Sequence, residues 1–271
     1  MIIWISGYPK SGNTWTRVFL SNYLFEKKID PFHNLKYIAD FPRSHHFDFL
    51  NNDEKNTLNK ENDNFKFYLL AQDKINLNGK INLIKTHSFA GSLSGNHFSN
   101  NENTIGFIYL VRDPRSVAIS LSYHLNLTIE KTVEIMVDSN KFAIVSDELM
   151  TFWSSWKINY LSWKRLKYPK LIVKYEDLHF SPKNKFKEIL EFLNKFQDVQ
   201  INDSKIDDII EHCSFSKLKS FEKNNGFKEK QGGEYFFREG RIDEWKKKMD
   251  LNLINKIEKE FKDEMLELGY F

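Results

Sequence analysis

Short apolar runs alternate with helix-type patterns along much of the chain. Four of the runs have the length and the β-branched and aromatic content of buried strands, namely residues 2–6, 81–85, 105–111 and 171–175. A helical pattern follows the first run, and Asp113 with Pro114 can open another helix directly after the third. Strands that are separated by helices are joined by right-handed crossovers and lie parallel. We therefore expect an α/β fold with a central parallel β-sheet flanked by helices.

Two more helices are predicted in the second half of the chain. The first is long and aromatic, because apolar residues recur at helical spacing at Leu149, Phe152, Trp153, Trp156, Tyr160 and Trp163. The second opens at Ser181 and Pro182, and its apolar stripe follows from Phe186 onwards. We assign the aromatic face of the first helix to core packing.

Composition indicates a globular protein with one core. The chain has 271 residues with scattered Pro and Gly, so a single domain over residues 1–271 is expected. The net charge of +3 gives no case for nucleic-acid or membrane-surface binding. One cysteine, Cys213, excludes an internal disulfide, and no run approaches the roughly 18 apolar residues of a spanning helix. No signal peptide is evident at the N-terminus, and a reducing, cytoplasmic compartment is expected.

The first strand runs into a glycine-rich loop, residues 7–14, that opens a helix. At such a junction the backbone N–H groups and the helix dipole bind anionic phosphate. The loop is not a Walker A sequence, because Asn13 and Thr14 follow its second glycine where a nucleotide triphosphatase has Lys and then Ser or Thr. The cation is Lys10, inside the loop, and a lysine there suits a donor with a single 5′-phosphate.

Read as a whole, YPKSGNTW resembles the 5′-phosphosulfate loop of the sulfotransferase family, with Asn13 where Thr is usual. The family uses 3′-phosphoadenosine 5′-phosphosulfate (PAPS) as sulfuryl donor and releases PAP. On this resemblance, the donor is held by Lys10, Ser11, Gly12, Asn13, Thr14 and Trp15. A turn with an exposed lysine is the alternative for this segment taken alone.

Lys85, Thr86 and His87 close the second predicted strand. A lone histidine at a strand end is usually an ordinary core or surface residue. The Lys-Thr-His order, however, is similar to the sulfotransferase segment that brings a cation and a general base to the acceptor. The resemblance implies that His87 is the base, and a neutral imidazole can take the proton of an acceptor hydroxyl.

Arg112 and Ser120 span the junction between the third strand and its helix. They resemble the family's 3′-phosphate motif, and both side chains can reach one phosphate from the strand end and the helix. Two other readings stay open: Arg112 could pair with a surface carboxylate, and Asp113 could be a Walker B aspartate that holds Mg²⁺. Arg115 is a weaker candidate for phosphate binding.

Further matches extend the resemblance to about Trp245. They imply adenine contacts from Trp15, Tyr175, Cys213 and Phe215, and a 3′-phosphate loop at Phe236, Phe237, Arg238 and Gly240. Each of these aromatic residues could equally belong to the core. Glu239 stands where the family usually has lysine, and Arg241 is a candidate to compensate for it. The dimer motif of animal cytosolic members is absent, so the oligomeric state stays open.

The resemblance implies a PAPS-dependent sulfotransferase with catalytic residues His87, Lys10, Lys85 and Ser120, and with no metal. The acceptor is a hydroxyl or amine of a small molecule or carbohydrate, and residues 29–65, 88–103 and 224–235 are expected to line its site. No nucleic-acid or membrane partner is expected. Two alternatives stay open at this point: a Mg²⁺-dependent P-loop small-molecule kinase and a non-catalytic nucleotide-binding domain.

Overall fold

The computed structural model describes residues 1–60, 63–144, 149–230 and 235–271, with the backbone alone at 142–144. The expectations for residues 29–65 and 224–235 therefore lie partly outside the described residues. Eight strands lie within these ranges: β1 Ile2–Ser6, β2 Asn82–Thr86, β3 Ser92–Leu93, β4 Asn96–His97, β5 Thr104–Val111, β6 Phe142–Ile144, β7 Met150–Phe152 and β8 Lys170–Lys174.

Thirteen α-helices lie within the same described ranges. They are α1 Asn13–Leu24, α2 Asn52–Thr57, α3 Tyr68–Asn76, α4 Pro114–Leu125, α5 Ile129–Val137, α6 Trp156–Lys164, α7 Tyr175–Phe180, α8 Pro182–Leu193, α9 Asp203–His212, α10 Phe215–Asn225, α11 Trp245–Lys248, α12 Leu251–Glu260 and α13 Lys262–Glu267. Two 3₁₀ helices, His33–Tyr37 and Ser44–Phe47, precede α2. Of the helices described, none is long and apolar enough to cross a membrane.

The central sheet has four parallel strands in the order β2-β1-β5-β8. These are the four runs predicted from the sequence, and the α/β fold is confirmed. Residues alternate between the two faces of the sheet: Trp4 belongs to one buried cluster, and Ile3 and Ile5 belong to another. Both faces are covered, which is why the strands are apolar throughout.

The predicted long aromatic helix is wrong at its N-terminal end. Residues 150–152 form β7, which pairs antiparallel with β6, and α6 begins only at Trp156. Ser154 has φ +59°, a left-handed conformation that interrupts a helix, and the Ser155 hydroxyl then accepts a hydrogen bond from the Ile158 N–H as the N-cap. Periodicity alone did not separate a short strand from the first turn of a helix.

The carboxyl ends of the parallel strands converge at one edge of the sheet. Ser6, the last residue of β1, pairs with Thr86 at the end of β2 and with Tyr109 in β5. The segments that follow β1, β2 and β5 are the three in which phosphate-handling residues are predicted. In open parallel sheets this edge is where ligands bind.

Candidate active site

A cavity of about 1380 Å³ opens at the carboxyl edge of the sheet. Nearly all of the predicted site residues line it: Lys10, Gly12, Asn13, Thr14, Trp15, Lys85, His87, Arg112, Ser120, Tyr175, Phe215, Phe236, Phe237, Arg238 and Gly240. The two that do not line it are Ser11 and Cys213, whose side chains are fully buried. Residues far apart in sequence thus share one cavity.

The loop between β1 and α1 is held in a conformation that few residue types adopt. Gly12 has φ +105°, and a Cβ built on it would lie 2.9 Å from the Tyr175 ring. A Cβ on Gly7 would lie 2.4 Å from the Leu110 carbonyl oxygen. Both glycines are therefore required for the loop to pass so close to the sheet and to Tyr175.

Several buried polar atoms around this loop have no hydrogen-bond partner among the described residues. They include the Ser11 hydroxyl, the Asn13 side-chain amide, the Thr16 hydroxyl and Nε of Arg112. A buried donor without a partner costs about 1–3 kcal/mol. Hydroxyl, amide and guanidinium donors gathered around a loop at a helix N-terminus fit an anionic phosphate group.

Lys10 extends from the loop into the cavity. Its Nζ lies 3.7 Å from the centroid of the Phe236 ring, a cation–π contact. Burial, together with the charge of Arg112, lowers the pKa of Lys10 to about 7 against a weaker opposing effect of Glu222. The charge of this lysine is therefore only marginally stable in the protein, and an anion beside it would restore its ordinary pKa.

His87 lies directly after β2 and is tied to the loop. Its Nδ1 is 2.6 Å from the Gly7 carbonyl oxygen, and an oxygen acceptor requires that Nδ1 carry the proton. Nε2 is then the free basic nitrogen. Burial and the Lys85 charge lower the pKa of His87 well below 6.5, so the imidazole is neutral at pH 7. The arrangement provides a base of fixed tautomer beside the phosphate loop.

Arg112 follows β5 and packs between the loop and the far side of the cavity. Its guanidinium lies 4.3 Å from the Tyr175 ring centroid and donates to the carbonyl oxygens of Lys10 and Arg241, at 3.2 and 2.8 Å. Ser120 lines the same cavity from α4. Arg112 thus makes no pair with a surface carboxylate in any of these contacts.

Asp113 and Arg115 turn away from the cavity. The Asp113 carboxylate caps α4 by accepting from the Arg115 N–H, and it pairs with the Arg115 guanidinium at 2.7 Å. Arg115 also contacts Glu258 at 2.5 Å and stacks on Trp245. Neither residue lines the cavity, so a metal-binding role for Asp113 gains no support from the geometry.

Comparison with known proteins agrees with this geometry. A family model described as "Sulfotransferase domain" matches residues 2–269. The chain belongs to the sulfotransferase family.

Relatives of this sulfotransferase are distant but cover most of it. Cytosolic sulfotransferase 3 of Arabidopsis thaliana is 24% identical over 96% of this chain and 76% of its own length. Flavonol 3-sulfotransferase of Flaveria bidentis is 26% identical over 95% of this chain and 79% of its own length. The sequence-based assignment to a sulfotransferase enzyme is confirmed at this level.

Solved structures share the fold of this sulfotransferase. Retinol dehydratase in complex with androsterone and PAP superimposes with a TM-score of 0.63, 19% identity and coverage of 97% of this chain and 80% of that one. Mouse sulfotransferase SULT7A1 complexed with PAP superimposes with a TM-score of 0.60 and 20% identity, and the match covers 97% of this chain and 84% of that one. The expected P-loop-like sulfotransferase fold is confirmed.

Aromatic rings of the sulfotransferase cavity form one wall beside the loop. Trp15 lies edge-on to Tyr175 with ring centroids 6.3 Å apart, and its indole N–H donates to the Cys213 carbonyl oxygen at 3.0 Å. Phe215 also lines this wall. Cys213 contributes its carbonyl group to the position of Trp15, whereas its thiol is buried in the core.

The segment at residues 236–240 covers the loop and carries its own charge pairs. Arg238 binds Glu244, donating to Oε1 at 2.6 Å, and its guanidinium lies over the Tyr123 ring. Glu239 is 3.3 Å from Nε of Arg241, which fits the suggested compensation between these two residues. The unusual glutamate thus has two cationic neighbours, Arg241 and, at 3.5 Å, Arg238.

Glu222 is a residue of the site that sequence reasoning missed. It is buried in α10, and its two carboxylate oxygens accept from the backbone N–H groups of Phe236 and Phe237 at 2.6 and 2.8 Å. The ring of Phe236 in turn makes the cation–π contact with Lys10. A charged side chain that holds a backbone segment leaves no motif in the sequence.

His124 was also missed, although a signal existed, because it lies one helical turn after Ser120 on the same face of α4. It lines the cavity, and its ring is edge-on to Phe236 with centroids 5.8 Å apart. Burial and the charges of Lys10 and Lys85 lower the pKa of His124 to about 3. A second neutral imidazole therefore faces the cavity.

Asp40 completes the missed set and lies beside Lys85. Nζ of Lys85 is 3.6 Å from Oδ1 of Asp40, and Arg17 is 3.2 Å from the same oxygen. Although burial alone would raise the pKa of Asp40, these cations and Arg43 hold it below its ordinary value. Asp40 stays ionised.

Within the described residues no group of three or more His, Cys, Asp or Glu could hold a metal, and a metal-free reaction stays a prediction.

Proposed function

We propose that this protein transfers the sulfuryl group of PAPS to a hydroxyl or amine of a small-molecule or carbohydrate acceptor, with release of PAP and a sulfated product. The observation that carries the proposal is the 2.6 Å contact between Nδ1 of His87 and the Gly7 carbonyl oxygen. It fixes a neutral base against a phosphate-binding loop that holds Lys10. A purely binding domain has no need of a base in that position, and a P-loop kinase would need the Walker A lysine that is absent at Asn13.

His87 acts as the general base. Because Nδ1–H donates to Gly7, the lone pair of Nε2 is free to take the proton of an acceptor hydroxyl. The lowered pKa of His87 keeps the imidazole unprotonated at neutral pH. Such a base contributes typically about 10²–10⁴-fold to a rate.

PAPS, when bound, supplies an activated sulfuryl group on its 5′-phosphate. Lys10 and Lys85 are the cations that stabilise negative charge on the transferred group and on the phosphate oxygen it leaves. Lys10 is free to do so, because its cation–π contact with Phe236 is weak beside a charge pair. Asp40 pairs with Arg17 and Arg43 as well as with Lys85. Because one carboxylate faces three cations, part of the Lys85 charge still acts on the cavity.

The remaining predicted residues bind the donor. The N–H groups of the loop, that of Ser11 included, and the side chain of Asn13 bind the 5′-phosphate, and Trp15, Tyr175 and Phe215 enclose the adenine. The 3′-phosphate is bound by Arg112 and Ser120, with Arg238 and Gly240 over it. The unpartnered Nε of Arg112 supports this assignment.

The names of the comparison proteins support the donor and leave the acceptor broad. The retinol dehydratase structures contain PAP with retinol or with androsterone, which supports PAP as the product and a small molecule as the acceptor here. The plant relatives are named cytosolic sulfotransferases, which supports a cytoplasmic location. We take residues 1–271 as one domain, supported by the family match over 2–269.

Ligand preference tests the proposal. PAP is expected to raise the melting temperature of the protein, and ATP with Mg²⁺ is not, because ligands stabilise the state that binds them. PAPS turnover is then followed as PAP release on a panel of alcohols and phenols. Stabilisation by ATP with Mg²⁺ alone, without any effect of PAP, would overturn the proposal and favour the kinase alternative.

A further inference from the structure

Five charged side chains line the cavity next to His87, and they are called the acceptor cluster below. The acceptor cluster consists of Arg17, Asp40, Arg43, Lys85 and Glu229. Apart from Lys85, which also faces the transferred group, none of them is assigned to the donor. They therefore describe the part of the cavity that the acceptor enters, and this inference rests on the proposed sulfotransferase function.

The backbone fixes the acceptor cluster beside the base. The Lys85 N–H donates to the Ala39 carbonyl oxygen at 2.9 Å, and the Phe41 N–H donates to the Lys85 carbonyl oxygen at 2.8 Å. The segment that contains Asp40 thereby lies parallel to the end of β2. Asp40 is opposite Lys85, which lies two positions before His87. The charges of Lys85 and Asp40 both act on the pKa of His87, which agrees with their closeness to its ring.

Ion pairs link the acceptor cluster into one network. Arg17 is 2.8 Å from Glu229 and 3.2 Å from Asp40, and Arg43 is 2.5 Å from Asp40. Arg17 is only 2% exposed and cannot turn away from its partners, since its Nε and Nη2 also donate to the Ile38 carbonyl oxygen. Asp40 and Glu229 keep partial exposure, 13% and 22% of their side chains, and both line the cavity.

An apolar acceptor fits this surface poorly. Its arrival would remove water from two carboxylates and from Arg43 without replacing the lost hydrogen bonds, and a buried polar group left without a partner costs about 1–3 kcal/mol. Oδ1 of Asp40 is buried between the charged nitrogens of Arg17 and Lys85, at 3.2 and 3.6 Å, so a ligand in the cavity meets the rest of this carboxylate and the carboxylate of Glu229. Hydroxyl groups that donate to these carboxylates would replace the hydrogen bonds that are lost with the water.

We infer that the acceptor is a polyhydroxylated, sugar-like molecule, whose neighbouring hydroxyl groups donate to Asp40 and Glu229 and accept from Arg43 while one hydroxyl faces His87. Neutral hydroxyls suit the acceptor cluster because it presents both donors and acceptors of hydrogen bonds. The sulfated hydroxyl gives its proton to His87, its oxygen forms the bond to sulfur, and the bond from sulfur to the donor phosphate breaks.

The test compares two classes of acceptor on the intact protein with PAPS. The polyhydroxylated probe is 4-nitrophenyl β-glucoside, and the apolar probes are 2-naphthol and a sterol alcohol. PAP release is expected to give a kcat/KM at least about tenfold higher for the glucoside, because a site built to hydrogen-bond a hydroxyl discriminates strongly against molecules that lack it. A higher value for either apolar probe would overturn the inference.

Variants assign the preference to the acceptor cluster. Glu229→Gln is expected to lower kcat/KM for the glucoside by about tenfold, the effect of one lost charged hydrogen bond, and to leave the PAP dissociation constant unchanged. Arg43→Gln provides a second variant should the first unfold. Glu191→Gln, on the exposed face of α8, removes the same charge elsewhere and should match the wild type.

The outcomes separate the inference from the function beneath it. If Glu229→Gln and Arg43→Gln slow the glucoside and the apolar probes equally, the acceptor cluster is structural and the inference is overturned while sulfuryl transfer stands. If the protein binds PAP but forms no PAP from PAPS with either class of acceptor, the proposed function itself is overturned.

Discussion

The marginal charge of Lys10 predicts a strong pH dependence of donor binding. In the free protein, burial and Arg112 lower the pKa of Lys10 to about 7. A phosphate bound beside its ammonium favours the charged form and returns the pKa to near its ordinary value of 10.5. Between these two pH values the complex holds one proton more than the free protein, so binding takes up a proton and weakens as the pH rises.

The size of the effect follows from the two pKa values. At pH 6 Lys10 is charged in both the free protein and the complex, so binding requires no proton uptake. At pH 9 only about 1% of the free protein carries the charge, so Lys10 alone lowers the PAP affinity about 100-fold between pH 6 and pH 9, apart from the titration of the PAP phosphates near pH 6. In the unfolded chain the ordinary pKa applies. Lys10 therefore adds folding stability to the free protein as the pH rises through this window, whereas the complex, in which the pKa is near its ordinary value, gains none.

Titration calorimetry with PAP at several pH values, in buffers of different ionisation enthalpy, measures both the affinity and the proton uptake. Lys10→Met, which keeps the length of the side chain and removes its charge, is the control. It should bind PAP weakly across the whole range and should show only the pH dependence that comes from the PAP phosphates themselves. A wild-type affinity that is equal at pH 6 and 9, or the same pH dependence in Lys10→Met, would refute the reasoning.

Two further predictions concern the segment over the donor. Glu222→Gln can accept only one of the two N–H groups that the carboxylate now holds, so PAP affinity should fall about tenfold by calorimetry. Unchanged affinity would mean that Glu222 does not position this segment. Arg241→Ala releases the Glu239 carboxylate toward the donor phosphates, but the guanidinium is 70% exposed, so PAP affinity should fall less than about fivefold and only at low salt. If Arg241→Ala and the wild type bind PAP equally at low salt, Arg241 does not compensate for Glu239.

The sequence could predict the donor site because that site follows the strand order. Lys10 lies in the loop after β1, His87 and Arg112 lie directly after β2 and β5, and the carboxyl ends of parallel strands meet at one edge. Residue type and position relative to a strand were therefore enough to bring these three together in one cavity. Their catalytic and binding roles stay predictions.

The acceptor site could not be predicted in the same way, because it depends on contacts between distant segments. Asp40 reaches Lys85 through a backbone bridge, and Glu229 reaches Arg17 from a segment after α10. Nothing in the local sequence of either carboxylate indicates its partner. The aromatic run before α6 failed for a different reason, since the left-handed Ser154 ends a strand where the apolar spacing had suggested a continuous helix.

The most direct test of the account is turnover of PAPS by His87→Asn. The asparagine amide can occupy the place of Nδ1–H and keep the hydrogen bond to the Gly7 carbonyl oxygen, but it offers no basic nitrogen in place of Nε2. PAP affinity should stay within about twofold of the wild type, while sulfuryl transfer to any acceptor that the wild type uses should fall by about 10²–10⁴-fold. Turnover close to that of the wild type would contradict the role of His87 as the base, and an equal loss of PAP binding would show that the residue is structural.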